Sequence, residues 1–214
     1  MTRMRCFIVL VSASALLLVP SLSFSKSNSA KSGPVSGAER RAVVVSNYAA
    51  RLKNFPLAWA QFPVRVYFER DARYSARREQ WARSGFDQWV TATNGFVRYQ
   101  VCDSPEQAQI VVSFDLTSNN GYTRTRFNGT DLESADISIG AKRGAGSDIA
   151  CIAAHEFGHS LGIDGHSENR RDLMYPTHQM GSAWRITARD LNTLSALYPS
   201  LRGAGASVAL APRR

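Results

Sequence analysis

The chain has 214 residues, 44% of them hydrophobic, which suits one packed domain with short appendages and excludes a chain disordered through its middle. Its formal charge of +9 comes with no recognised nucleic-acid-binding motif, so no nucleic-acid partner is expected. All 4 histidines lie at or beyond position 155, which points to local use of that residue type.

At the N-terminus, Arg3 and Arg5 precede an apolar run from Phe7 to Val19, followed by Pro20 and small polar residues. This is the pattern of a secretory signal over residues 1–25, with cleavage expected between Phe24 and Lys31. The run is short for a membrane span, so membrane contact is expected only through this segment if it stays uncleaved. Export would place the chain in a secreted, periplasmic or extracellular setting. Residues 26–56, rich at first in Ser, Gly and Ala, read as a leader or short pro-segment. Loss of Cys6 with the signal leaves Cys102 and Cys151, which either form one disulfide in the oxidising compartment or leave Cys151 as a buried thiol.

Ordered sequence is expected over 57–201. Val64–Glu69 alternates like a strand. Ser75 offers an N-cap to a helix whose Trp81, Phe86, Trp89 and Val90 share one face, and Arg70, Arg73, Arg77, Arg78 and Arg83 read as a solvated surface around it. After Asn94-Gly95, strands are predicted at Phe96–Val101, Gln109–Phe114, Tyr122–Phe127 and Ala135–Ile139. The last helix opens at Thr187 and buries Ile186, Leu191, Leu194 and Leu197 before Tyr198-Pro199 ends it. The Gly- and Ala-rich segment 202–214 reads as a disordered tail.

Between these elements lies His155-Glu156-Phe157-Gly158-His159-Ser160-Leu161-Gly162, introduced by the small apolar run Ile149–Ala154. Two histidines four apart on a helix project from one face and can both bind one metal ion. Glu156 then stands beside the ion without coordinating it, where a general base must be to take a proton from an activated water. Gly162 can take a positive φ and end the helix, so a further ligand must arrive from beyond it.

The segment resembles the metzincin metallopeptidases, and Leu173-Met174-Tyr175-Pro176 resembles their matrixin branch. The resemblance implies one catalytic Zn2+ held by His155, His159 and His166, Glu156 as general base, and Met174 as the methionine turn beneath the metal. One departure stands out. The family pattern is H-E-x-x-H-x-x-G-x-x-H, whereas here the eleventh position is Gly165 and the histidine follows at 166. Either the turn Asp164-Gly165 is one residue longer and still delivers His166, or Asp164 replaces the third ligand. The interval from His166 to Met174 matches matrixin sequences and favours the first.

The resemblance further implies an α+β metzincin catalytic domain, with a twisted, mostly parallel sheet packed on two helices, the active-site helix, the Met-turn and a C-terminal helix. Ala135–Ile139 is the candidate edge strand for pairing with an extended protein or peptide substrate. Tyr175, Pro176, Thr177 and His178 are the candidate lining of the substrate pocket. Asp131, Glu133 and Asp136 are the residues a bound calcium would use, their other reading being solvated loop acids. Relatives link their N-terminus to the first of an Asp-Asp pair in the last helix. This chain has Arg189-Asp190, and no such link is expected. The function implied is a secreted zinc-dependent endopeptidase, and the alternative is a secreted metzincin-fold binding protein that keeps the metal without productive hydrolysis. Nothing in the sequence sets an oligomeric state.

Overall fold

In β1 (Val64–Phe68) and β3 (Ile110–Asp115), buried and less buried residues alternate strictly, so Val64, Val66, Phe68, Ile110, Val112 and Phe114 form one apolar face. The computed structural model describes residues 46–177 and 184–203, and the statements that follow concern these. β2 (Tyr99–Val101), β4 (Tyr122–Asn128) and β5 (Asp131–Gly140) complete a five-stranded sheet in the order β2-β1-β3-β5-β4. β2, β1, β3 and β5 run parallel, and β4 lies antiparallel to β5. This is the α+β arrangement of a metzincin catalytic domain.

The apolar face of the sheet packs on α1 (Ala76–Ala92) and α2 (Gly146–Ser160). Ser75 caps α1 through its side-chain oxygen, which accepts from Arg78 N. Phe86 and Trp89 are fully buried, and the Phe86 ring stacks on Phe157 of α2 at 4.3 Å between centroids. α1 and α2 approach so closely at Gly85 that a Cβ there would sit 2.2 Å from Ala150 O. The small residues of the Ile149–Ala154 run are what permits this contact. Several of the arginines around α1 are ion-paired at the surface, with Arg70 and Arg83 on Glu79 and Arg73 on Asp71.

Thr187 closes a capping box with Asp190 at the start of α3 (Ala188–Leu197), and a short α4 (Pro199–Gly203) follows. Tyr198 Oη donates to Leu161 O at 2.8 Å, and Trp59 Nε1 donates to Ser160 O at 2.8 Å, so the C-terminal end of α2 is tied to both flanks of the domain.

Four expectations need correction. The edge strand is β4, not Ala135–Ile139: β5 is bonded to β3 on one side and to β4 on the other, because the chain turns at Gly129 (φ 60°) and returns inward. Phe96–Arg98 are not strand; Phe96 N turns back to Thr93 O, and β2 begins only at Tyr99. Cys102 and Cys151 are not bonded to each other: Cys102 Sγ lies against Val66 O and Ser104 O beyond β2, whereas Cys151 Sγ faces Trp184 O from α2. The folded body also starts before Leu57. Tyr48 and Leu52, assigned to the leader, are buried in the core at 3% and 8% exposure. Residues 1–45, which hold the signal segment and the rest of the leader, and residues 204–214 of the tail lie outside the described residues. No described helix is long and apolar enough to cross a membrane.

Candidate active site

α2 brings His155 and His159 onto one face one turn apart, and each ring is fixed by a carbonyl. His155 Nδ1 meets Leu173 O at 2.8 Å, and His159 Nδ1 meets Ile163 O at 2.6 Å. A carbonyl can only accept, so both Nδ1 atoms carry the proton and both Nε2 atoms present lone pairs. These two Nε2 atoms stand 3.1 Å apart. Two ligands about 2.05 Å from a tetrahedral zinc ion would stand about 3.3 Å apart. Facing acceptors at this distance are repulsive unless a cation lies between them, so the donor set fits a metal ion.

Gly162 takes φ 100° and turns the chain out of α2, with its missing Cβ leaving room for Leu57 O. The longer turn Asp164-Gly165 then delivers His166: His155, His159 and His166 each offer a ring nitrogen, all within 4.8 Å of one another. Asp164 does not join them, since its two carboxylate oxygens accept from Lys53 N, Asn54 N and Asn54 Nδ2. The histidine trio is the sole cluster of this kind among the described residues; Asp131, Glu133 and Asp136 form none, and Asp136 is paired with Arg126.

Burial, followed by the neighbouring His155, holds the His159 imidazole down at about 3, and burial, followed by Lys53, lowers His166. Neutral imidazoles are the metal-binding form. Burial pushes the Glu156 carboxyl the other way, up to about 7, although a 2.6 Å hydrogen bond from Thr123 Oγ1 to its Oε2 opposes the shift. Glu156 is thus a buried carboxyl with one polar anchor, adjacent in sequence to a member of the trio. Gly121 makes space for it, since a Cβ there would fall 2.4 Å from Glu156 Cγ.

Met174 is fully buried against α2. A Cβ on Gly158 would sit 2.5 Å from Met174 Sδ, so this glycine lets the turn press on α2. Asp190 holds the turn from below, accepting from Leu173 N at 2.9 Å, Met174 N at 3.4 Å and Tyr48 Oη at 2.6 Å. Burial raises its carboxyl, and the bonds from Tyr48, Thr187 and Leu173 pull it back. The preceding Arg189 pairs instead with Asp172 and Ser46.

A cleft of about 650 Å³ runs past the trio, walled by Tyr122, Thr123 and Thr125 of β4 on one side and Tyr175, Pro176 and Thr177 on the other. Cys151 and Trp184 also line it, and neither was marked by any local sequence signal. His178 lies outside the described residues. Thr123 and Gly121 were equally invisible in the sequence, because each acts on Glu156, more than ten positions away; Asp190 was noted there, but its hold on Leu173 and Met174 was not.

The matrixin family of peptidases matches residues 132–199, from β5 through the trio to the end of α3. This is a matrixin-like chain. Its matched part is 37% identical over 68 residues to the macrophage metalloelastase of Rattus norvegicus, 28% of this chain and 14% of that protein. It is 34% identical over 71 residues to stromelysin-2 of the same species, 32% of this chain and 15% of that one. Against the hatching enzyme of Paracentrotus lividus the figures are 42% over 62 residues, 28% and 10%. The matrixin-like match therefore spans only about a seventh or less of the length of these relatives.

Proposed function

We propose that this chain is an exported zinc-dependent endopeptidase. The observation that carries the reading is the pair of Nε2 lone pairs 3.1 Å apart, joined by His166 and flanked by the buried Glu156 carboxyl. His155, His159 and His166 would hold the ion. Zinc bound there supplies a Lewis acid that polarises the scissile carbonyl and makes a water nucleophilic at neutral pH. Glu156 takes the proton from the attacking water and later delivers it to the leaving amine. Thr123 Oγ1 keeps the carboxylate oriented between these two transfers. Met174 provides an apolar floor to the trio and holds no proton.

The substrate is an extended protein or peptide segment. β4 is the last strand on its side of the sheet, so its outer backbone groups can pair with such a segment with little dependence on side-chain identity. Selectivity arises in the pocket walled by Tyr175, Pro176 and Thr177, with Cys151 and Trp184 contributing. Residues 1–25 act as the export signal, as the arginines before the Phe7–Val19 run suggest.

Incubation of the purified protein with casein, with and without a zinc chelator and beside Glu156→Ala, tests this reading. Cleavage that the chelator stops and the variant lacks is expected. Stoichiometric zinc with no cleavage of any unfolded protein would favour a metal-holding binding protein instead.

A further inference from the structure

His155 and His159 are each oriented by a carbonyl at the far ring nitrogen, whereas His166, the most exposed of the three, has no hydrogen-bond acceptor of its own among the described residues. Metal-binding histidines nearly always have such a partner. The direction of the His166 ring must therefore come from its backbone, and two structures grip that backbone. On the C-terminal side, Ser167 N donates to Met174 O at 2.8 Å. On the N-terminal side, the grip comes from a segment more than a hundred residues away in sequence.

Residues 46–54 run across this turn as a strap. Asp164 Oδ1 accepts from Lys53 N at 2.8 Å, and its Oδ2 accepts from Asn54 N at 2.8 Å and Asn54 Nδ2 at 2.7 Å. Arg51 pairs with Glu168 on the far side of His166. Between these contacts, a Cβ on Gly165 would lie 2.5 Å from Arg51 O and 3.2 Å from Arg51 C. Gly165 does not have a positive φ, unlike Gly162, so its backbone conformation is open to any residue. What demands glycine at 165 is the approach of the strap. The strap is itself anchored upstream, with Tyr48 N on Thr193 Oγ1 at 3.0 Å and Tyr48 Oη on Asp190 at 2.6 Å.

We infer that residues 46–54 position the third metal ligand: the extra residue that separates this turn from the family pattern is a docking site for the strap, which holds His166 at the ion. The inference rests on the zinc-binding reading above. Asp164, Gly165 and Asn54 are positioning residues in this scheme: Asn54 and Asp164 also border the cleft, but the contacts used here are those between the turn and the strap. Partners of this kind are worth about ten- to a hundredfold in metal affinity.

The test uses the full chain and two readouts, zinc affinity by competition with a chelator and urea unfolding of the metal-free protein. Gly165→Ala and Asp164→Ala should each weaken zinc binding about ten- to a hundredfold, with the urea midpoint of the metal-free protein close to that of the parent in Asp164→Ala and lowered in Gly165→Ala, where the added Cβ meets Arg51 O. Asn54→Ala should cost less, since two backbone donors remain, and should cost nothing further once Asp164 is alanine. Unchanged zinc affinity in both turn variants would overturn the inference. So would full additivity of Asn54→Ala and Asp164→Ala, which would mean that Asp164 acts on the ligand without the strap. If Gly165→Ala does not fold, the partly solvent-exposed Asp164→Ala decides alone. A parent whose zinc affinity equals that of His159→Ala would mean that the metal-site reading itself has failed, a result distinct from the others.

Discussion

His155 and His159 differ from His166 in what holds them, although all three converge on one point. The first two ride on α2, where helical periodicity alone sets their common face, and carbonyls at 2.8 and 2.6 Å fix their rings. The third stands on an irregular turn that begins at Gly162, is crossed by the strap from 46–54 and is tied to Met174 O through Ser167 N. A site can thus combine ligands specified by local sequence with one specified by tertiary contacts, and the two kinds should fail differently.

The largest effect is expected on the helix-borne side. His159→Ala removes a ligand outright and should cut zinc affinity more than a hundredfold, beyond the range of outer-shell changes; metal analysis after dialysis against a chelator checks this. Glu156→Ala leaves all three imidazoles and should retain the metal while lowering casein turnover by about 10²–10⁴-fold, the usual contribution of a general base. Asp190→Ala probes the tertiary side. It strands the buried donors of Leu173, Met174 and Tyr48 and should cost at least about 3 kcal/mol in the urea stability of the metal-free protein.

A subtler change concerns the charge of Glu156. Its folded carboxyl is raised to about 7, so it keeps its proton where the unfolded chain has already lost one. The stability that this contributes is fully present below about 4.5 and is lost as the pH rises through 7. Glu156→Gln cannot ionise. Without metal it should therefore gain on the parent by about 2–3 kcal/mol between pH 4 and pH 8, as read from urea melts at both. The smallest effect is expected for Thr123→Val, which removes the hydrogen bond to Glu156 and should lower turnover about tenfold with zinc content unchanged.

The same division explains what the sequence disclosed. The α1 cap at Ser75, the α3 cap at Thr187, the strands β1 and β3 and the facing histidines of α2 all depend on residues a few positions apart, and each was legible. The edge role of β4 was not, because β4 and β5 both read as strands and only the sheet order decides which is outermost. Cys102 and Cys151 matched in number, but number carries no information about distance. The strap escaped detection because the partners of Tyr48 on α3, and of Lys53 and Asn54 at Asp164, lie over a hundred residues on. Gly165 read as an irregularity for the same reason: the atom that requires it belongs to Arg51.

The most direct test of the three-histidine site is zinc K-edge X-ray absorption on the loaded protein. Three imidazole nitrogens at about 2.0–2.1 Å are expected, falling to two in His166→Ala. Two imidazoles and a carboxylate oxygen in the parent, unchanged in His166→Ala, would contradict a three-histidine site.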